Sequence, residues 1–174
     1  MPILFTALEI PESIQASILD LRPKNLGINK PATLHITLHY IGMVNNVQSD
    51  LIQASLLNVK AKPYSQKIRG VGAFHQTRAP HILWAGVHKC EGLLNLHVSV
   101  GQYLQEVGVT LENRQYNPHI TVARIKKTNK ALVGSYLNNH HDFSAHFDVT
   151  GFSLFSSERT KLGAIYTKLH SYDF

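Results

Sequence analysis

The chain has 174 residues, 44% of them hydrophobic, and seventeen Lys and Arg against eleven Asp and Glu give a net charge of +6. That is enough apolar material for a real core, no apolar run nears the roughly 18–20 residues that span a bilayer, and the basic excess favours anionic partners such as nucleic acid or nucleotides over a membrane. A single cysteine, Cys90, leaves no intramolecular disulfide, and with no basic leader around Met1-Pro2-Ile3 a reducing, cytoplasmic location is expected.

In chain order, Ile3–Glu9 reads as a strand, and Pro11-Glu12-Ser13 opens an amphipathic helix carrying Ile14, Ile18 and Leu21. Leu34–Ile41 alternates as a strand, and Gln48–Ala61 has the period of a helix. Ser65–Val71 is a strand with poor alternation, His81–His88 a clearer one, and Glu91–Val107 a long helix with Leu93, Leu96, Val100 and Leu104 on one stripe. Pro118–Ile125 is a further strand and Asn129–Asn138 a short helix. Phe143–Phe155 and Leu162–Leu169 read as a closing pair of strands around Ser156–Lys161. No linker or low-complexity tract interrupts residues 1–174, so one compact two-lobed domain and a monomer are expected.

Two of these strands carry the same phrase, His35-Ile36-Thr37-Leu38 and His119-Ile120-Thr121-Val122. Side chains two apart on a strand share a face, so each phrase sets an imidazole beside a hydroxyl while Ile36, Leu38, Ile120 and Val122 turn the other way. His75 and His97 also have Thr or Ser two residues on. His75 sits in a polar loop ending at Pro80, however, and His97 follows the helical period. The two phrases lie about half the chain apart, which suggests a duplicated α+β architecture: two pseudo-symmetric α/β lobes with antiparallel sheets around a central cleft.

These phrases, with Leu34–Gly42 and Pro118–Arg124 around them, resemble the two-histidine phosphoesterases, in the branch of RNA 2′,3′-cyclic phosphodiesterases historically called 2′-5′ RNA ligases. Leu4-Phe5-x-Ala7 with Pro11 is similar to that family's opening strand, Ile82-Leu83-Trp84-x-Gly86 to its central strand, and Ser156/Ser157 through Gly163-x-x-Tyr166 to its closing hairpin. Two positions depart from its pattern. His81 stands where Arg is frequent, and His39 stands where the family has an apolar or small residue, placing an extra imidazole on the face of His35 and Thr37.

The residues suit the hydrolysis of a 2′,3′-cyclic phosphate at an RNA end or on a small nucleotide. Two imidazoles on opposite sides of phosphorus supply a base for water and an acid for the leaving oxygen, and two threonine hydroxyls donate to the non-bridging oxygens. His35, Thr37, His119 and Thr121 are the expected catalytic set. His119 is preferred as base and His35 as acid, although the pseudo-symmetry leaves the swap open. No metal and no cofactor is needed. The resemblance implies a 2′-phosphate product, with reverse 2′-5′ ligation as a side activity.

Arg124 suits a substrate phosphate, but its odd spacing from His119 requires a bulge to bring it to the same face; a surface arginine is the alternative. Phe5 and Tyr166 are candidates to flank the base or phosphate, with core packing as the alternative, and Trp84 reads as core. His35-x-x-x-His39 has zinc-ligand spacing only on a helix, and His140-His141 with His146 read as exposed loop residues. Basic residues also cluster over Lys60–Lys67 and Arg124–Lys127. Competing readings are a non-catalytic RNA- or nucleotide-binding module and a phosphodiesterase for 2′-5′ oligoadenylates.

Overall fold

The computed structural model describes residues 1–23, 28–29, 33–74, 81–125, 130–160 and 163–174. Pro31, the segment around His75, and Lys126 and Lys127 lie outside the described residues.

The elements are β1 (Ile3–Glu9), α1 (Glu12–Leu19), β2 (Ile28–Asn29), β3 (His35–Met43), α2 (Asn46–Leu56), β4 (Tyr64–Phe74) and β5 (His81–Val87). They continue with α3 (Glu91–Glu106), β6 (His119–Ile125), α4 (Lys130–His140), β7 (Ser144–Val149), β8 (Gly151–Thr160) and β9 (Gly163–Asp173). The strands form one sheet in the order β7-β4-β5-β6-β3-β1-β8-β9, with β2 added beside β6, and every pairing is antiparallel.

The sheet is nearly two sheets. At its middle, β3 and β6 meet through one register pair, Ile36 opposite Ile120. On either side the ladders are long, β5 with β6 on one and β1 with β3 on the other. Each motif strand is therefore the inner strand of its own four-stranded ladder, as the phrases implied, with the short β2 added beside β6. The lobes are not the two halves of the sequence, though. One is the continuous stretch β4–β7, and the other joins β1 and β3 to β8 and β9.

Ile36 and Ile120 are fully buried. They belong to an apolar cluster that includes Ile18 of α1, Ile52 and Leu56 of α2, Leu93, Leu96, Val100 and Leu104 of α3, and Val133 and Tyr136 of α4. Burying a side chain of this size is worth about 1.5–3 kcal/mol, so the seam between lobes is held by packing more than by its ladder.

Several boundaries differ from the sequence reading for local reasons. The α2 helix starts at Asn46 because the Asn45 carboxamide accepts from the Gln48 N–H at 2.8 Å. The run Phe143–Phe155 is two strands, not one: the chain breaks at Thr150, β7 pairs with β4, and β8 pairs with β1 in the other lobe. The poor alternation over Ser65–Val71 is a register shift between Ile68 and Val71, accommodated by Gly70 at φ +69°. Among the described residues no helix is long and apolar enough to cross a membrane.

His39 does not join His35. In the β1–β3 ladder Ala7 opposes Thr37 and Thr6 opposes His39, so Leu38 is an extra residue and the strand changes phase there. His39 turns to α3, stacks on His97 at 4.1 Å, and donates from Nε2 to the His97 carbonyl at 2.7 Å. His97 in turn stacks on Tyr116 at 3.8 Å and donates from Nδ1 to the Leu38 carbonyl at 3.1 Å. The Tyr116 hydroxyl donates to the Thr37 carbonyl at 3.0 Å. Three rings thus tie α3 and the approach to β6 onto the bulge of β3.

Burial, then the adjacent His39, push the His97 pKa down to about 4 from 6.5. The native state therefore refuses a proton that the unfolded chain accepts, and stability from this group is lost as pH falls from 6.5 toward 4. Urea unfolding at pH 7 and pH 5 checks this: the acid-induced drop in midpoint should shrink in His97→Phe, which keeps the stack and removes the titration.

Candidate active site

The single Ile36–Ile120 pair fixes which residues face one another. With those two side chains buried, His35, Thr37, His119 and Thr121 are all on the opposite face and all partly exposed. Continuing the antiparallel register sets His35 across from Thr121 and Thr37 across from His119. The four motif side chains come together at the seam of the lobes. They share their face with little of the main core: Phe5, Ala7 and Phe155 form a separate small cluster there, with Tyr166 packed on it.

Both imidazoles are oriented in the same way. His35 donates from Nδ1 to the Thr33 carbonyl at 3.0 Å, and His119 donates from Nδ1 to the Asn117 carbonyl at 2.8 Å. A carbonyl only accepts, so Nδ1 carries the proton in each neutral ring and Nε2 is left to exchange one. Asn117 is itself steadied by Lys89, whose Nζ donates to its Oδ1 at 3.1 Å.

Each ring also leans on aromatic neighbours from its own lobe. His35 lies 5.2 Å from Phe5 and 5.2 Å, edge-on, from Tyr166. His119 lies 4.9 Å, edge-on, from Phe74, which is 5.4 Å from Trp84. Phe5 is 5% exposed, so its ring is mostly spent on His35, Phe155 and Tyr166; Tyr166 keeps a partly open edge.

Arg124 reaches the motif face through the bulge its spacing required. In the β5–β6 ladder Leu83 opposes Ala123 and Trp84 opposes Thr121, which leaves Val122 as the extra residue. Val122 and Ala123 are both fully buried and Arg124 is exposed, the pattern of a strand that has changed phase. The Arg22 Nε–H donates to the Val122 carbonyl at 3.0 Å, holding the bulge from outside the sheet. The first copy has the same device, since Leu38 and His39 take the places of Val122 and Ala123. Tyr40 is then the counterpart of Arg124 and is 46% exposed.

Burial lowers the pKa of His35 below 6.5; the Thr33 carbonyl pulls it up, while the charges of His119 and Arg124 push it down further. His119 is lowered too, by burial first, with the Asn117 carbonyl opposing and Arg124 and Arg114 adding to the fall. Both rings are thus neutral at pH 7 in the free protein, in a field made positive by guanidinium groups. An anion entering between them reverses that field and raises both values.

Three residues facing this site were not singled out for it in the sequence. Phe74, Tyr40 and Trp84 reach the motif face by cross-strand pairing, Trp84 lying directly opposite Thr121 instead of in the main core. A side chain at Gly72 would stand 2.0 Å from the Trp84 ring, so glycine there leaves the indole its place. The zinc spacing His35-x-x-x-His39 fails on geometry, because the bulge sends the two rings to opposite faces. Among the described residues no group of three or more His, Cys, Asp or Glu is arranged to hold a metal ion. Cys90 caps α3 and directs Sγ to the Gln66 carboxamide at 3.5 Å, a packing role.

A sheet seamed by two bulged His-x-Thr strands defines a two-histidine phosphoesterase. The chain belongs to the 2′-5′ RNA ligase superfamily, whose model matches residues 10–161. It is 27% identical over 175 residues to the RNA 2′,3′-cyclic phosphodiesterase of Archaeoglobus fulgidus, covering 98% of this chain and 99% of that protein. The RNA 2′,3′-cyclic phosphodiesterase of Aquifex aeolicus is 28% identical over 148 residues, covering 82% and 79%. Among solved structures, E. coli LigT complexed with 3′-AMP superposes with a TM-score of 0.80 at 22% identity, covering 100% of this chain and 99% of that one. TT0787 of Thermus thermophilus gives 0.78 at 24% identity, covering 99% and 97%. These structural likenesses speak for the fold.

The charge of Arg124 on both rings has a measurable sign. Removing it in Arg124→Gln should raise the titration midpoints of His35 and His119 together, read by NMR of the imidazole nitrogens. Unchanged midpoints would mean that the guanidinium does not face the site.

Proposed function

We propose that this protein hydrolyses 2′,3′-cyclic phosphates at RNA ends or on small nucleotides to 2′-phosphates, using His119 as base and His35 as acid. The observation that carries the reading is the Ile36–Ile120 register, which turns two imidazoles, each with Nε2 unbonded among the described residues, and two threonines to one face.

The His119 Nε2 takes a proton from water as the oxygen attacks phosphorus. A P–O bond forms to that oxygen and the bond to the ribose 3′ oxygen breaks. The His35 Nε2–H gives its proton to the departing 3′ oxygen, leaving the phosphate on the 2′ oxygen. The Thr37 and Thr121 hydroxyls donate to the two non-bridging oxygens, with Arg124 supplying positive charge as negative charge builds. The two imidazoles supply both proton transfers, so the scheme calls for no metal. With a 5′-hydroxyl RNA end in place of water, the same forward step makes a 2′-5′ linkage, and its reversal cleaves one. The neutral rings of the free protein also fit: the incoming phosphate raises both pKa values, and one ring then holds the proton the leaving group needs. Tyr166 offers an aromatic edge for the terminal base.

The test is turnover of 2′,3′-cyclic AMP in excess chelator with the phosphate position of the product identified. A 2′-phosphate is expected. His35→Ala and His119→Ala should each lose at least about a hundredfold in rate, the scale of losing a general acid or base. Binding of RNA without turnover would favour a non-catalytic module. Because both pKa values lie below 6.5 in the free enzyme, the bell of kcat/KM against pH should centre on the acid side of 6.5, and that of kcat should sit higher.

A further inference from the structure

Beyond the motif strands, the face that carries His119 continues across β5 to β4 and β7. Gly86 pairs with His119, and Arg69 pairs with Ser144. A side chain added at Gly86 would strike the Arg69 carbonyl at 2.3 Å, so glycine there lets the backbone of Arg69 pack directly against the strand beside His119.

The parity agrees. Gln66, Ile68 and Phe147 point into the core, while Lys67, Arg69, Ser144 and His146 are exposed on the other side. These four, with His141 and Asp142, line a groove of about 620 Å³. Its outer wall is fixed, because the turn after α4 is tied to β4 by the Gly70 N–H, which donates to the Phe143 carbonyl at 2.7 Å. At about 4.8 Å per strand, the groove lies roughly 10–15 Å from His119 along the sheet. Two full cations and two imidazoles face one carboxylate there, and the motif chemistry makes no use of them.

We infer that this groove on the β4–β7 edge binds backbone phosphates of the RNA strand that ends in the cyclic phosphate, so that the enzyme acts on oligonucleotide ends in preference to mononucleotides. The inference rests on the proposed activity and names where its substrate continues. Charge complementarity selects the occupant: Lys67 and Arg69 hold phosphates, and Asp142 opposes them. Sequence preference is not expected, since phosphate contacts carry no base information.

The experiment measures two things on the same proteins. One is the affinity for a short fluorescent single-stranded oligoribonucleotide ending in a 2′-phosphate, which does not depend on turnover. The other is kcat/KM for 2′,3′-cyclic AMP and for the oligonucleotide ending in a cyclic phosphate. Lys67→Ala/Arg69→Ala should weaken the oligonucleotide and leave cyclic AMP unchanged. Losing two phosphate contacts should flatten the salt dependence, so that raising salt fourfold costs the wild type roughly sevenfold more affinity than the double variant. Asp142→Asn should shift oligonucleotide affinity the other way, and Lys67→Arg should retain it. Equal affinities and salt slopes in wild type and double variant would overturn the groove. So would equal losses on cyclic AMP and oligonucleotide, which would mean the substitutions act on the motif site. Absence of turnover on both substrates, with the affinity differences intact, would overturn the activity and leave the groove standing.

Discussion

Two β-bulges placed one residue after a His-x-Thr phrase set the terms for everything else in the site. A regular strand carries the phase of its side chains unchanged, so a motif strand that pairs along its whole length would present an extra imidazole at His39 and hide Arg124. The extra residues at Leu38 and Val122 reverse the phase. They let each strand bury two successive apolar or stacked side chains against the helices and then return a polar residue, Tyr40 or Arg124, to the motif face. They also bend the strands, which is consistent with a seam that narrows to Ile36 and Ile120. The surrounding structure holds these irregularities in place: Arg22 on the Val122 carbonyl, the Tyr116 hydroxyl on that of Thr37, and His97 on that of Leu38.

The electrostatics of the site work against charge until something anionic arrives. Burial, mutual repulsion and Arg124 all disfavour imidazolium, and the backbone carbonyls that orient the rings only partly offset this. The arrangement separates the tasks of the two ring nitrogens: Nδ1 is committed to the chain, and Nε2 is free to trade a proton. It also spreads cation density unevenly. The lobe of His119 has Lys89, Arg124 and the Lys67–Arg69 groove nearby, with Arg114 paired to Glu112 at 2.6 Å, whereas around His35 the walls are Phe5, Phe155 and Tyr166, and Lys168 is paired with Glu9 at 3.1 Å.

Strand alternation around His35 and His119 made the motif readable from sequence, and the helical period of α3 identified His97 as a helix residue. Parity also showed that Arg124 needs a bulge, but Val122 and Ala123 carry no glycine or proline to announce one, so the bulge itself was invisible. The break at Thr150 was hidden for a related reason. Apolar residues run from Phe143 to Phe155 with strand-like spacing, and only the choice of partner, β4 for one part and β1 for the other, separates them. Phe74, Trp84 and Tyr40 were out of reach because their place at the site comes from pairing between strands far apart in the chain. The half-chain spacing of the two phrases likewise left open which strands make up each lobe, since similarity of phrases says nothing about which ladder a strand will join.

The crossover at Thr150 has a consequence for how the molecule is made. It lets β4 through β7 assemble as consecutive segments, but β1 must wait for β8, which leaves the ribosome nearly a whole chain later, and His35 must wait longer still for Tyr166. Contacts of such long sequence separation close slowly. During synthesis one imidazole is in its finished surroundings well before the other.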